Sequence, residues 1–194
     1  MRWLLTGSHW LIVAGGYLLG SLLGAPWIGR REGIDIRALG SGNPGFSNLR
    51  RQVGWGRAWP ALLWDLAKGS GAAAGGYWLG QEAGAQWGVL AAVIGHCYPL
   101  PRFWRGGKGV SPFLGGMLVL DWPAALAGLA GWLTLAKLVK ISSVASLTAV
   151  AGVVVVCWIR DSAATETGLL AAAIIVVRHR ANFTRLAHGT EPEL

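Results

Sequence analysis

ISSVASLTAVAGVVVVCWI, residues 141–159, contains no charged side chain. A helix that crosses the hydrocarbon core of a bilayer needs about 20 mostly apolar residues, so this stretch predicts a membrane-spanning helix. Six further apolar runs lie on either side of it, at 10–28, 58–79, 84–101, 109–120, 123–139 and 163–178. We therefore expect residues 1–194 to form a single domain. Its predicted fold is an all-α integral membrane bundle of about seven transmembrane helices.

The composition favours the same class of protein. Of the 194 residues, 53% are hydrophobic and 13% are charged, about half the ~25% charged fraction of soluble domains. The net charge of +8 suits either a nucleic acid or an anionic membrane surface. The apolar runs favour the membrane, so no nucleic-acid partner is expected. Cys97 and Cys157 both lie in apolar runs, which predicts buried free thiols and no metal site.

The distribution of basic residues predicts how the chain is oriented. Seven spans place alternate loops on opposite faces of the bilayer, and basic residues concentrate on the cytoplasmic face. That rule predicts an outside N-terminus, a cytoplasmic C-terminus and location in the cell membrane. Lys68 lies inside a span, and Arg2 and Arg160 fall on the outer face. The remaining fourteen of the seventeen basic residues fall on one face: Arg30, Arg31, Arg37, Arg50, Arg51, Arg57, Arg102, Arg105, Lys108, Lys137, Lys140, Arg178, Arg180 and Arg185.

Small and aromatic residues in the spans are also typical of membrane helices. Gly16, Gly20 and Gly24 recur every four residues, which predicts close approach of a neighbouring helix. The first run is too long for the core of a signal peptide, so we expect it to remain in the protein. Several tryptophans near span ends are expected to form belts at the membrane surfaces: Trp27, Trp55, Trp78, Trp104, Trp122 and Trp158.

Three polar, glycine-containing strings interrupt the apolar sequence, and the predicted topology places all of them on the cytoplasmic face. They are LGSGNPGFSN at 39–48, RGGKGV at 105–110 and RHRAN at 178–182. Glycine permits positive φ and exposes backbone N–H groups, and Arg and Lys beside such groups bind anions. Their convergence predicts chemistry on a phosphorylated substrate next to lipid.

The first string lies in residues 29–57, which we interpret as a long polar loop without helix signal. Its candidate substrate contacts are the side chains of Ser41, Asn43 and Asn48, and Arg51 is a candidate bidentate phosphate ligand. A nucleophilic Ser41 would need a nearby base and has no G-x-S-x-G elbow around it. Hydrogen bonding is therefore the favoured role for Ser41.

The second string includes Gly106, Gly107, Lys108 and Gly109 at the expected start of a helix, where free N–H groups and the helix dipole favour an anion. It lacks the spacing of a Walker A loop. His96 precedes it and is either an interfacial, hydrogen-bonded histidine or part of the site.

Asp65 and Lys68 lie three residues apart inside an apolar span. Ionisable groups at membrane depth are costly and are usually paired or functional. The sequence leaves open whether this pair is structural or catalytic.

The third string ends the last span. His179 and Asn182 share a helix face if the helix continues, and histidine is the usual proton acceptor near neutral pH. The alternative interpretation is a basic cluster that only stops membrane insertion. Glu191 is a candidate partner for a nearby arginine, and Ser142 and Ser143 are candidate helix caps.

Taken together, these strings resemble those of the bacterial acyl-phosphate-dependent glycerol-3-phosphate acyltransferases, the PlsY family. The resemblance covers about residues 10–191. It rests on order and spacing across Gly40–Gly45, Asp65–Gly69, Gly95-His96 with Pro99, Gly106–Val110, Ser142-Ser143, Arg178-His179 with Asn182, Arg185-Leu186, and Glu191. It implies acyl transfer from acyl phosphate to the first hydroxyl of glycerol 3-phosphate, which yields 1-acyl-glycerol 3-phosphate and phosphate.

The resemblance also implies an active site at the cytoplasmic face that uses no metal, cofactor or coenzyme A. It leaves open an acyl-phosphate-producing enzyme as a partner. The implied catalytic residues are Ser41, His179 and Asn182. The implied substrate contacts are Gly42, Asn43, Asn48, Arg51, Gly106, Gly107, Lys108, Gly109 and Ser143. Glu191 is implied to be structural, and Asp65, Lys68 and His96 stay unassigned.

Four residues depart from the family pattern. Phe46, Ser47 and Pro112 stand where alanine, threonine and threonine are usual, and Trp55 stands where a basic residue is often found. Arg50 and Arg57 are the candidates to replace that basic residue. The departures leave open a family member with a different acceptor, and a transporter or flippase of a phosphorylated solute is the alternative from another class.

Overall fold

The computed structural model describes residues 7–100 and 105–194, and this part of the chain is all-α, with nine helices and no strand. The predicted all-α class is therefore confirmed. The helices are α1 (Gly7–Ser21), α2 (Gly24–Arg31), α3 (Phe46–Val53), α4 (Trp55–Cys97), α5 (Val110–Leu120), α6 (Trp122–Leu138), α7 (Ser142–Ile159), α8 (Thr165–Arg178) and α9 (Arg180–Ala187).

Every apolar run of the sequence falls on helix. The first run covers α1 and α2, the next two cover the two arms of α4, and the last four match α5 to α8. Two helical segments, His9–Arg31 and Ser142–Ile159, are long and apolar enough to cross a membrane. The count of seven crossings stays a prediction. Pro101 at the end of the third run, Arg2, Arg102 and Trp104 lie outside the described residues.

α4 is a helical hairpin. Its helical backbone is broken at Gly80 and at Gln81, where φ is 55°. The two arms pack so closely that a side chain at Gly76 would overlap the carbonyl of Gly84, and one at Gly88 would overlap that of Ala72. Such pairing about the break makes the arms antiparallel, as expected for two successive spans.

The glycine stripe predicted for the first span makes the close approach it was expected to make. A side chain on Gly20 would overlap the backbone of Ala92 in the second arm of α4, and one on Gly24 would lie 2.9 Å from the carbonyl oxygen of Ala61 in the first arm. Small residues allow this backbone contact, which stabilises helix pairs where lipid supplies no hydrophobic drive.

The centre of the bundle is apolar and tightly filled. Phe113 and Met117 of α5 are fully buried against Val89 and Val93 of α4 and Val153 of α7. Large apolar side chains also face outward, as on a protein surrounded by lipid. All of the predicted belt tryptophans that the structure describes are 48–82% exposed: Trp27, Trp55, Trp78, Trp122 and Trp158.

Residues 29–57 are more helical than the sequence indicated. α2 continues to Arg31, and α3 occupies Phe46–Val53, so the prediction of an unbroken polar loop was wrong for these residues. Phe46 and Leu49 of α3 are buried on one face. Gly54, with φ of +80°, ends the helix in a conformation that favours glycine.

Candidate active site

One cavity brings all three polar strings together at the end of the bundle formed by α3, the start of α5, the start of α7 and the junction of α8 and α9. Gly42, Lys68, Gly106 and Gly107, although predicted at the site, do not line it. The predicted site residues that line the cavity are Ser41, Asn43, Asn48, Arg51, Asp65, His96, Lys108, Gly109, Ser143, His179, Asn182 and Glu191.

Asn48 holds the first string in shape. Its Nδ2 donates to the carbonyl oxygens of Ile36, Leu39 and Asn43 at 3.0–3.1 Å, and its Oδ1 accepts from the Ser41 N–H at 3.2 Å. The side chain is 1% exposed. The sequence predicted Asn48 as a substrate contact, but both polar atoms of its side-chain amide already form hydrogen bonds with backbone groups. Its role is to present Ser41 and Asn43 to the cavity.

Two glycines of the first string have a structural role. Gly40 and Gly42 have φ of +56° and +67°, a region that L side chains rarely adopt. A side chain at Gly40 would also collide with Oδ1 of Asn48. Gly42, predicted as a substrate contact, therefore shapes the turn behind the cavity wall.

The second string is clamped against the end of α4. The N–H of Gly107 donates to the carbonyl of His96 at 2.9 Å, while the Arg178 guanidinium donates to the carbonyls of Gly106 and Gly107 at 2.9 and 3.1 Å. That guanidinium also lies 5.0 Å from the centre of the Tyr98 ring. These hydrogen bonds fix Gly106 and Gly107 against the end of α4 and against Arg178, and their role as substrate contacts stays a prediction.

Gly109 turns this loop into α5. Its φ of +87° places Lys108 and the first turn of α5, with Val110 and Ser111, on the cavity wall. The N-terminus of a helix carries partial positive charge that favours anions. Pro112 lies in the first turn, where a backbone N–H has no partner within the helix, so this departure from the family pattern leaves α5 intact.

A buried ionic cluster of Asp65, Lys68 and His96 lies next to the glycine loop of the second string. Nζ of Lys68 lies 2.7 Å from Oδ1 of Asp65 and 2.8 Å from Nδ1 of His96, and it donates to the carbonyl of Leu22 at 3.1 Å. The three ionisable residues are at most 3% exposed. The His96 ring leaves no room for a side chain at Gly107. The cluster therefore ties the break between α1 and α2 to α4 and to the glycine loop.

His179 occupies the junction where α8 ends and α9 begins. Its Nδ1 lies 2.8 Å from the carbonyl of Ile175, so Nδ1 donates and the neutral ring keeps Nε2 as an acceptor. Burial and then the charge of Lys108 lower the pKa of His179 to about 4. The ring is therefore neutral at pH 7.

Glu191 organises the third string. Its carboxylate accepts from Ser143 Oγ at 2.8 Å, from Nδ2 of Asn182, and from Nε of Arg185 at 2.7 Å. Burial raises the pKa of Glu191, but these three hydrogen bonds outweigh it and hold the pKa below its usual value. Among the described residues, the buried Oδ1 of Asn182 has no hydrogen-bond partner. An acceptor therefore remains for a donor outside the protein.

The charge in the cavity is positive. Burial lowers the pKa of Arg51 and lowers that of Lys108 to about 8, while Glu191 opposes both shifts. Asp65 is paired with Lys68, and Glu191 already accepts three hydrogen bonds. Arg51 and Lys108 are thus the cations of the cavity wall, and this arrangement suits an anionic group.

The residues that depart from the family pattern are accommodated together. Phe46 packs edge-on against Trp55 with ring centres 5.4 Å apart, and Ser47 Oγ lies 2.5 Å from Ser142 Oγ. Arg50 stacks over Trp55, and Arg57 pairs with a surface carboxylate. Neither arginine lines the cavity, and the expectation that one of them replaces the usual basic residue stays a prediction.

Comparison with known proteins agrees with this site. The model of the glycerol-3-phosphate acyltransferase family matches residues 10–189, and the chain belongs to that family. Glycerol-3-phosphate acyltransferase of Maricaulis maris is 43% identical over 185 residues, which cover 93% of this chain and 85% of that protein. The enzyme of the same name from Gloeobacter violaceus is 40% identical, covering 100% of this chain and 97% of that protein.

Two crystal structures share the fold. Both are of PlsY, described as an integral membrane glycerol 3-phosphate acyltransferase, one in a glycerol 3-phosphate form and one in a lysophosphatidic acid form. The first superposes with a TM-score of 0.90 at 30% identity, and the second with 0.88 at 29%. Each match covers 97% of this chain and 96% of the other. The chain is thus an integral membrane acyltransferase by family and by fold.

Proposed function

We propose that this protein transfers an acyl chain from acyl phosphate to the 1-hydroxyl of glycerol 3-phosphate, the first step of phospholipid synthesis. The products are 1-acyl-glycerol 3-phosphate and inorganic phosphate. One observation carries the proposal: a single cavity is lined by the cations Arg51 and Lys108 and also by apolar side chains such as Leu62, Leu129 and Trp132. Both the acyl donor and the lipid product combine a phosphate with a hydrocarbon chain, which matches such a cavity.

Acyl phosphate is the donor that the size of the site favours. The acyl group is already activated, so no covalent intermediate on Ser41 is needed. Coenzyme A would bring a nucleotide on a long arm, and the cavity is built from short loops and helix ends, with no described domain that would grip a nucleotide. A small charged head with a lipid tail fits a basic pocket at the membrane edge.

The polar residues suit the binding and orientation of the two substrates. Arg51, Lys108 and the first turn of α5 would bind phosphate oxygens. Ser41 and the Oδ1 of Asn182 would hold the attacking hydroxyl close to the acyl carbonyl. Orientation of this kind supplies much of the catalysis when the substrate is already activated, and donors near the carbonyl oxygen stabilise the charge that develops there.

The reaction forms an ester C–O bond, breaks the bond between the carbonyl carbon and the phosphate oxygen, and releases the hydroxyl proton. His179 and the phosphate of glycerol 3-phosphate are the two candidate acceptors of that proton. A histidine pKa of about 4 makes the ring a weak base at neutral pH, whereas a phosphate monoester has a second pKa near ~6. We therefore assign the proton to the substrate phosphate and a positioning role to His179.

The site is proposed to face the cytoplasm, with the N-terminus outside and the C-terminus inside a seven-span protein. The concentration of basic residues on the predicted face that also carries the three polar strings supports this orientation. Cys97 and Cys157 are both fully buried, so a cysteine introduced at the exposed Arg105 would react over a low background. Labelling from the cytoplasmic side is expected, and labelling from the outside would contradict the orientation.

The activity itself is tested with purified protein in liposomes that contain palmitoyl phosphate. Addition of glycerol 3-phosphate should produce 1-palmitoyl-glycerol 3-phosphate and an equal amount of phosphate. Arg51→Ala should lower kcat/KM roughly ten- to hundredfold, the cost of a lost charge-assisted contact, whereas Arg57→Ala serves as a matched control because Arg57 lies outside the cavity. Release of phosphate without the acylated product would contradict the proposal.

A further inference from the structure

Phe46 is an aromatic side chain in the wall of the cavity. It is the first residue of α3, directly after the polar string that presents Ser41 and Asn43, and its ring is 6% exposed. Together with Trp132 of α6 it lines the cavity. An apolar chain bound in this cavity would therefore contact these two rings.

The Phe46 ring is held on two sides. Its centre lies 5.4 Å from that of Trp55 at an interplanar angle of 83°, and 6.3 Å from that of Trp132 at 57°. Edge-on aromatic pairs of this kind are favourable beyond the apolar area that they bury. Two tryptophans thus prevent Phe46 from moving aside, and a wider chain cannot be accommodated by rotation of that ring alone.

The two tryptophans are fixed in turn. Nε1 of Trp132 donates to Oγ of Ser146 at 3.0 Å, and Trp132 is 7% exposed. The guanidinium of Arg50 lies 5.2 Å from the centre of the Trp55 ring. The wall of Phe46, Trp55 and Trp132 is therefore a supported unit, which we call the aromatic wall.

We propose that the aromatic wall selects unbranched acyl chains by limiting the width of the cavity next to the reacting carbonyl. The proposal rests on the proposed acyl transfer and adds which acyl group is accepted. It also gives one physical cause to two departures from the family pattern, because Phe46 and Trp55 contact each other. A difference of one methyl group in a close apolar pocket is typically worth roughly 10-fold or more in kcat/KM.

The test is a competition between palmitoyl phosphate and an acyl phosphate of the same chain length with a methyl branch on the third carbon. The unaltered protein should prefer the straight chain by about tenfold, and Phe46→Ala should reduce this ratio to within about twofold of unity. Trp55→Ala removes only the support and should give an intermediate ratio. Trp59→Ala is the matched control: Trp59 also lies near the start of α4, and like Trp55 it is about half exposed and does not line the cavity, whereas Trp55 packs against Phe46.

Each outcome has a distinct meaning. Absence of activity with palmitoyl phosphate in the unaltered protein would contradict the proposed function and not the role of the wall. Equal use of both donors by the unaltered protein, or an unchanged ratio in Phe46→Ala, would overturn the inference. If Phe46→Ala does not fold, Phe46→Leu keeps an apolar side chain at this position, and its ratio must then fall below that of the unaltered protein. A change of acceptor preference with an unchanged donor ratio would place Phe46 at the acceptor instead and would also overturn it.

Discussion

Replacement of Lys108 by alanine should weaken the use of glycerol 3-phosphate through the loss of a phosphate contact. Lys108 lies beside the N-terminus of α5 and next to Gly109, in a loop that Arg178 holds in place. Its ammonium should therefore meet a phosphate oxygen with little reorganisation. A charge-assisted contact is worth about 1.5–3 kcal/mol, so kcat/KM should fall roughly ten- to hundredfold.

The pH dependence gives this prediction a second, independent readout. The pKa of Lys108 is lowered to about 8: burial is the largest cause, Arg185, Arg51 and Arg178 act in the same direction, and Glu191 opposes them. The protonated form carries the charge, so the free protein loses its ammonium as pH rises through about 8. Above that value kcat/KM should fall by up to about tenfold per pH unit until it is lower by the roughly ten- to hundredfold expected for loss of the contact. Lys108→Arg keeps its charge at these pH values, and its alkaline decline should move to higher pH.

The assay measures initial rates of 1-palmitoyl-glycerol 3-phosphate formation between about pH 6 and about pH 9.5, a range that brackets the titration of Lys108. Lys137→Ala is the matched control, because Lys137 is exposed and does not line the cavity. A Lys108→Ala protein within twofold of normal kcat/KM would refute the phosphate contact. An alkaline decline near pH 8 that persists in Lys108→Arg would refute the assignment of that decline to Lys108.

Three further changes test the surroundings of the site. Gly107→Ala should cost about 1–3 kcal/mol of stability by overpacking against His96, visible as a lower Tm, whereas Gly75→Ala has nothing within 4 Å and should not lower it; equal effects would contradict the close contact. Asp65→Asn leaves Lys68 buried without its counter-ion and should destabilise by about 3–5 kcal/mol in chemical denaturation; an unchanged midpoint would contradict a structural pair. In the protein with glycerol 3-phosphate bound, the acid decline of kcat should lie near pH ~6 and persist in His179→Gln if the substrate phosphate is the base; a decline near pH 4 that is lost in His179→Gln would assign the proton to His179.

The helices of the apolar runs could be predicted because length and apolar composition determine them, and each run falls on helix. α3 was missed since its sequence is rich in Ser, Asn and Arg, and only Phe46 and Leu49 mark its buried face. A helix this short is stabilised by tertiary contacts more than by its own propensity. Those tertiary contacts cannot be predicted from the eight residues of α3 alone.

The members of the site were easier to predict than their roles. The three strings converge on one cavity at one end of the bundle, as their predicted place on a single face of the membrane led us to expect. The contacts of Asn48 and Gly106 could not be predicted, however, since they depend on which distant group meets the side-chain amide of Asn48 and the carbonyl of Gly106. Arg178 was seen as part of a motif, but its hold on the glycine loop follows only from the packing of α8 against that loop.

The contact between the rings of Phe46 and Trp55 was also not predicted from the sequence. Each residue was noted separately as a departure from the family pattern, and they lie nine positions apart on different helices. Their contact depends on Gly54, whose positive φ turns the chain between α3 and α4. The sequence did contain a feature that favours this contact, because two bulky aromatic residues close together in the sequence can pack against each other.

Comparison of two acyl donors is the most direct test of whether this protein uses acyl phosphate to acylate glycerol 3-phosphate. In one lipid preparation, the rate of glycerol 3-phosphate acylation is measured with palmitoyl phosphate and, separately, with palmitoyl coenzyme A at equal concentration. We expect rapid formation of 1-palmitoyl-glycerol 3-phosphate from palmitoyl phosphate and a negligible rate from the coenzyme A ester. A rate with palmitoyl coenzyme A equal to or above that with palmitoyl phosphate would contradict it.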